Sequence, residues 1–341
     1  MAGDSWTGKT VLVTGALGFI GSHFVEQLAA SGATVLGLHR SSKPELEEDL
    51  GALPGVSLFG VDLLDHAELR FAFRHFAPGI DAVVHCAALD GNASFKRTHS
   101  AEILDTNLRT TSNLLGCVRD FGVARLVLLS SSEALAGHGP VPVTEEQATR
   151  RSLQASDNGY VLSKIFGEVL AEQFQQQYGT RVHLVRPTNV FGPRDSFGGT
   201  RSRVIPAMIS RLESGEEIEI WGDGSQTRSF VYVTDLVRAS LELVESGRYP
   251  ALNVATTGEI SMLELARQIA AVTGRHERVR VDPARPGGAA SQVMDTSRLH
   301  DLISFRPLSL REGLVETVRW FRDSTAADRS PRGKAISVSQ G

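Results

Sequence analysis

"VTGALGFIG", Val13 to Gly21, decides how this chain of 341 residues is read. The apolar run before it, "TVLVTG" (Thr10–Gly15), has the length and β-branching of a buried strand. The stretch after it, "FIGSHFVEQLAASG" (Phe19–Gly32), predicts a helix closed by glycine. Gly15, Gly18 and Gly21 fall at the hand-over. Glycine lets backbone approach a phosphate with no Cβ in the way, and a helix N-terminus offers free N–H groups and a positive dipole end. Strand, Gly-x-x-Gly-x-x-Gly and amphipathic helix, in that order, form the context of a dinucleotide site.

Outward from this point the rhythm repeats. "ATVLGLH" (Ala33–His39), "VSLFGVD" (Val56–Asp62), "DAVVHCA" (Asp81–Ala87), "ARLVLLSSS" (Ala124–Ser132) and "RVHLVRP" (Arg181–Pro187) read as strands, with helical stretches near Ala67–Phe76, Ala101–Phe121 and Ser163–Gln177. Alternation of this kind predicts an α/β fold, a Rossmann-type doubly wound parallel sheet covered on both faces. After Pro187 the pattern changes to a Gly- and Arg-rich loop, short strands and helices near Val204–Ser214, Asp235–Ser246, Ser261–Thr273 and Leu310–Arg322. The expected division is a cofactor-binding domain over 1–187 plus about 230–256, and a smaller mixed C-terminal substrate domain over 188–229 and 257–322. The polar, aperiodic stretch 323–341 reads as a disordered tail.

Composition narrows the function. A net charge of -4 argues against a nucleic-acid partner, and no apolar run is long enough to span a membrane. Two cysteines, Cys86 and Cys117, are too few for a disulfide framework, so a reducing, cytoplasmic setting is expected. The N-terminal residues lack the apolar core of a signal peptide.

In "NGYVLSK" (Asn158–Lys164), Tyr160 and Lys164 stand four apart, which places them on one face of a helix. A phenol is a poor acid–base group at neutral pH until a neighbouring ammonium stabilises the phenolate. Tyr160 then exchanges a proton with a substrate oxygen, Lys164 tunes it and anchors a ribose, and Ser132, ending a strand in "LLSSSEALAG", orients the same oxygen. At the end of the second strand an acid would bind both ribose hydroxyls. This chain has His39, Arg40 and Ser41 instead, and an arginine suits a 2′-phosphate, which favours NADP(H) over NAD(H).

These motifs resemble the extended branch of the short-chain dehydrogenase/reductase superfamily, and "RPTNVFGPRD" (Arg186–Asp195) with "WGDGSQTRSFVYVTD" (Trp221–Asp235) resembles its nucleotide-sugar epimerases, dehydratases and reductases. The resemblance implies a nicotinamide cofactor, no metal, a nucleotide-diphosphate sugar as substrate and a homodimer. It implies cofactor contacts at Phe19, Ile20, Asp62, Leu63, Ala87, Ala88, Asn107 and Pro187. Asp62 reads equally as the N-cap of the next helix. By the same resemblance Asn189 and Arg228 meet the sugar diphosphate, and Glu133, Arg194, Val204, Trp221 and Arg285 belong to the substrate site.

Within that group, "SNLL", "VIPAMISRL" and "MDTSRLHDL" look most similar to GDP-fucose synthases, but the cysteine and histidine of that epimerisation chemistry are replaced by Ala134 and Arg194. The second acid of the 4,6-dehydratases is likewise Ala134, and the tyrosine usual in this motif is Ala136. Glu133 is left as a substrate acid–base group or an ion-pair partner. The implied activity is hydride transfer at C4 of a nucleotide-linked sugar, favoured as a 4-ketoreductase using NADPH. The alternatives are a 4-epimerase with tightly bound NAD and a non-catalytic cofactor-binding scaffold.

Overall fold

Seven strands carry the alternation that the sequence shows, and all pair in parallel: β1 (Thr10–Thr14), β2 (Thr34–His39), β3 (Val56–Gly60), β4 (Ala82–His85), β5 (Arg125–Leu129), β6 (Arg181–Pro187) and, from beyond Pro187, β11 (Ala251–Val254). The computed structural model describes residues 6–76, 79–135, 142–146, 158–248, 250–256, 258–276, 278–285, 293–302 and 306–328. The sheet order is β11-β6-β5-β4-β1-β2-β3. Successive side chains of a strand point to opposite faces. Val11, Val13, Val35 and Val127 therefore join a core with helices α1 (Phe19–Ala30) and α8 (Val233–Ser246). Leu12, Leu36, Val83 and Leu126 join a second core with α3 (His66–Phe76), α5 (Ser100–Asp120) and α6 (Gly159–Tyr178). Burial on both faces explains why these strands are apolar throughout rather than alternating.

A third core lies beyond the sheet. Ile205 and Ile209 of α7 (Val204–Glu213), Ile218 and Ile220 of β8 (Ile218–Trp221), Leu265 and Ile269 of α9 (Met262–Thr273), and Leu314 and Val318 of α11 (Leu310–Asp328) pack together. Three two-stranded pairs complete this region: β7 (Asn189–Phe191) with β10 (Phe230–Tyr232), β9 (Thr227–Arg228) with β12 (Ile260–Ser261), and β8 with β13 (Val279–Asp282).

The structure differs from expectation at four helices. Helix α11 continues to Asp328, into the stretch read as tail, while 329–341 lies outside the described residues. Two short helices escape the periodicity: α2 (Pro44–Gly51), entered by proline and two glutamates, and α4 (Ala93–Thr98), capped by the Asn92 side chain on Phe95 N–H at 3.0 Å. Between β11 and α11 lies a short helix, α10 (Ser297–Leu302). Among the described residues no helix is long and apolar enough to cross a membrane.

Candidate active site

The chain lays β2 and β3 on one side of β1, then returns to lay β4 on the other. A doubly wound sheet opens its ligand crevice at such a reversal. The glycine loop sits there. Gly15 has φ 68°, and a Cβ on it would stand 3.0 Å from the Ala87 backbone just past β4. A Cβ on Gly21 would stand 2.1 Å from the Gly15 carbonyl oxygen, and one on Gly18 2.9 Å from the same atom. The glycines are thus required first by the loop's packing against its own helix, before any ligand is considered. Helix α1 starts at Gly18 with no side-chain cap and no acid in its first turn, so its positive end is left for an anion.

This loop forms one wall of a cavity of about 1580 Å³. A site for one small ligand occupies about 300–1,000 Å³, so the space suits a dinucleotide and a second ligand together. Gly15, Gly18, Phe19, Ile20, Gly21, Ala87, Ala88 and Pro187 line it, as the sequence predicts for a cofactor. Ser132, Glu133, Tyr160, Lys164, Asn189, Val204, Trp221 and Arg228 also line it. The uncapped helix end, the glycine cradle and the small Ala87–Ala88 wall fit a nicotinamide dinucleotide.

Tyr160 is placed by the start of α6. The Asn158 side chain caps the Tyr160 N–H at 2.9 Å, and Gly159 N–H donates to the Ser100 hydroxyl at 2.8 Å. A Cβ on Gly159 would fall 1.9 Å from the Ser100 carbonyl oxygen, so only glycine lets α6 begin this close to α5. Farther along α6, Glu168 forms a fully buried ion pair with Arg186 of β6, 2.7 Å between Nη2 and Oε2, and accepts the Ser130 hydroxyl. The helix is thereby tied to two strands of the sheet.

The expected simple phenol–ammonium pair is altered. Lys164 Nζ donates to the Leu129 carbonyl at 2.8 Å and lies 5.6 Å from the centre of the Tyr160 ring. A second lysine is nearer. Lys96 Nζ stands 3.8 Å from that ring centre, 2.6 Å from Glu133 Oε1 and 3.2 Å from Asp90 Oδ1. Burial, then the Asp90 and Glu133 carboxylates, push the phenol well above its usual range, while Arg203 and a hydrogen bond with the Ser131 hydroxyl pull the other way. Burial also lowers the Lys164 ammonium, with Asp90 and Cys86 opposing and Lys96 adding to the fall. Ser131 and Ser132 both line the cavity, and Ser132 opens the 3-10 turn Ser132–Leu135. Glu133, left open between two roles by the sequence, is an ion-pair partner of Lys96.

Asp90, Lys96 and Arg203 line the cavity and were missed by sequence reasoning. Arg203 pairs with buried Asp195 at 3.6 Å and lies 5.4 Å from the Phe19 ring centre. No local motif marks these residues. The only signal was Asn92, a cap three residues before Phe95 and four before Lys96.

Several expected site residues are engaged elsewhere. Arg194 does not line the cavity: its guanidinium bonds Glu26 at 2.8 Å and His23 Nδ1 at 2.7 Å on helix α1. Because a guanidinium only donates, His23 Nδ1 accepts and its Nε2–H donates to the Pro193 carbonyl at 3.0 Å. Burial, then Arg194, hold His23 down to about 4. Asn107 lies beneath the wall, accepting Leu89 N–H at 2.7 Å and donating to the Leu89 carbonyl at 3.0 Å and Ser163 Oγ at 3.2 Å. Its amide braces the loop after β4 against α6 instead of facing the cavity.

The adenosine side is corrected too. His39 is buried, and the Leu63 side chain belongs to the core of α3 and α5. The carboxylate absent from the end of β2 arrives from α2: Glu47 Oε1 is 3.3 Å from His39 Nε2, and Glu47 accepts the Ser42 hydroxyl at 2.6 Å. Arg40 and Ser41 are exposed beside them, outside the cavity wall. Asp62 turns back on Leu64 N–H at 3.0 Å, and it is Asp65 that caps α3 through Ala67 and Glu68 N–H. Arg285 stacks on Trp221, 5.0 Å from its ring system, and pairs with Asp282, behind the tryptophan rather than on the wall. Ala136 lies outside the described residues. Cys117 is a core residue as expected, whereas Cys86 lines the cavity, its thiol pushed up by burial.

Fold and site together define a nicotinamide-dependent enzyme of the extended short-chain dehydrogenase/reductase type. The chain belongs to the NAD dependent epimerase/dehydratase family, whose pattern matches residues 11–255. It is 58% identical over 322 residues to a dTDP-4-dehydro-6-deoxy-D-allose reductase from a Streptomyces species, covering 94% of this chain and 99% of that one. It is 30% identical over 331 residues to GDP-L-fucose synthase of Escherichia coli, covering 93% and 97%. Among solved structures it resembles the Thermus thermophilus UDP-glucose 4-epimerase in complex with NAD, with a TM-score of 0.77, 30% identity and coverage of 92% and 99%.

Proposed function

We propose that this protein is a 4-ketoreductase of a nucleoside-diphosphate 6-deoxyhexose, of the kind named for its 58%-identical relative, with NADPH as reductant. The observation that carries this reading is the placement of Tyr160, Lys164 and the Ser131–Ser132 hydroxyls on one cavity with the glycine loop. The loop with Gly15, Gly18 and Gly21 would hold a reduced nicotinamide dinucleotide, which would supply a hydride to C4. Tyr160 donates its phenol proton to the C4 oxygen, and the proton is replaced from solvent. The serine hydroxyls hold the same oxygen in line. Phe19, Ile20, Ala87, Ala88 and Pro187 shape the cofactor side, while Glu133, Asn189, Val204, Trp221 and Arg228 face the nucleotide sugar.

NADPH is favoured by Arg40, a guanidinium exposed at the end of β2 and able to clamp a 2′-phosphate. The sheet with its two cores is the cofactor half, and the third core with its short strand pairs is the sugar half. The active form is a homodimer joined through α5 and α6, where Phe166 and Val169 of α6 stand exposed.

The test is to follow absorbance at 340 nm with NADPH and a panel of dTDP-linked 4-keto-6-deoxy sugars. Loss of about one equivalent of NADPH per ketone consumed supports reduction. Interconversion of C4 epimers with no net loss of cofactor supports the epimerase reading instead.

A further inference from the structure

The loop after β4 and helix α4 bring a group to the catalytic phenol that Tyr-x-x-x-Lys does not contain. Lys96 is about as buried as Tyr160 itself, at 9% and 7% exposure. Its ammonium lies 3.8 Å from the Tyr160 ring centre, against 5.6 Å for Lys164. Asp90 and Glu133 grip it from two other segments, at 3.2 and 2.6 Å. Such a long, flexible side chain is held in one position only because both carboxylates and the aromatic face act on it together.

We propose that Lys96 is a positioning residue for the reduction, a second cation that seats the Tyr160 ring and offsets the two carboxylates that would otherwise oppose ionisation of its phenol. This rests on the ketoreductase reading of the site. Asp90 from the loop after β4, Ser131 and Glu133 around the end of β5, and Arg203 before α7 act on the phenol, while Lys96 from α4 and Lys164 from the next turn of α6 stand by its ring, 3.8 and 5.6 Å from the ring centre. Two of these are anions and three are cations. Removing Lys96 leaves Asp90 and Glu133 facing the ring with one compensating charge fewer. Removing the Glu133 charge does the reverse. The two changes therefore displace the phenol in opposite directions, as no general loosening of the wall would.

The experiment reads the phenol directly. The chain has four tyrosines, so fluorotyrosine labelling gives a sparse fluorine NMR spectrum, and Tyr160→Phe assigns the resonance. Fluorination makes the phenol more acidic and brings its titration into a measurable range. Lys96→Met is expected to raise the midpoint by about one pH unit, Lys96→Arg to restore it, and Glu133→Gln to lower it by a similar amount. Midpoints unmoved in Lys96→Met and Glu133→Gln overturn the proposal. If Lys96→Met does not fold, Glu133→Gln alone decides, and an unmoved or raised midpoint there overturns it. In the 340 nm assay Lys96→Met is expected to lower kcat about tenfold with little change in KM, since a less acidic phenol donates its proton more slowly. Failure of the wild type to reduce any 4-keto sugar sinks the ketoreductase reading, while the fluorine midpoints still decide the place of Lys96.

Discussion

Two parts of one cavity are built in opposite ways. The glycine loop is made of backbone: nine consecutive residues, Val13 to Gly21, form it, and its tolerances are those of a Cβ that has no room. The pocket around Tyr160 is made of side chains from separate segments, with Asp90, Lys96, Glu133, Tyr160, Lys164 and Arg203 brought together only by folding. The contrast shows where each can be damaged. The loop fails through shape, and the pocket fails through charge and proton transfer while its shape survives.

The sharpest break of this contrast is Tyr160→Phe. Turnover is expected to fall by about 10³-fold or more, with NADPH binding and circular dichroism unchanged, because only a proton donor is lost. Retained turnover would remove Tyr160 from the chemistry. Next comes Gly21→Ala, which drives a methyl to 2.1 Å from the Gly15 carbonyl oxygen. Forced overpacking costs about 1–3 kcal/mol. The variant should melt lower and bind NADPH at least about tenfold more weakly, as a shifted loop no longer presents the end of α1. Unaltered melting and binding would show that the loop is not as tight as its geometry states. The smallest effect is expected from Arg40→Ala, an exposed side chain outside the cavity wall. Isothermal titration should show NADPH affinity falling about tenfold relative to NADH, the equivalent of one charge-assisted hydrogen bond. Equal losses for both cofactors would mean that Arg40 does not read the 2′-phosphate.

How far the sequence reached follows the same division. The strands from β1 to β6 were readable because each is an unbroken apolar run, a property of neighbours in the chain. The reading of Tyr160 and Lys164 as occupants of one site survived because helical spacing is also local, although Lys164 reaches the Leu129 carbonyl and not the phenol. Arg194, read as substrate-binding, and Asn107, read as cofactor-binding, do not line the cavity. Each was inferred from its place in a motif, and each is claimed by partners far along the chain, Glu26 for the first and Ser163 for the second. Glu47 escaped notice for the converse reason. A short helix carries it back to a strand end that lacks an acid in sequence.

By itself the sequence determined the parallel sheet, the glycine hand-over and the helix that bears Tyr160, because periodicity and steric permission act between residues a few positions apart. Only the tertiary structure decided which charges surround the phenol, that Lys96 stands closer to it than Lys164, and that Arg194 faces helix α1. Electrostatic fields and hydrogen bonds depend on distance in space, and pairs such as Lys96 with Glu133 or Arg194 with Glu26 come within reach only when the chain has closed.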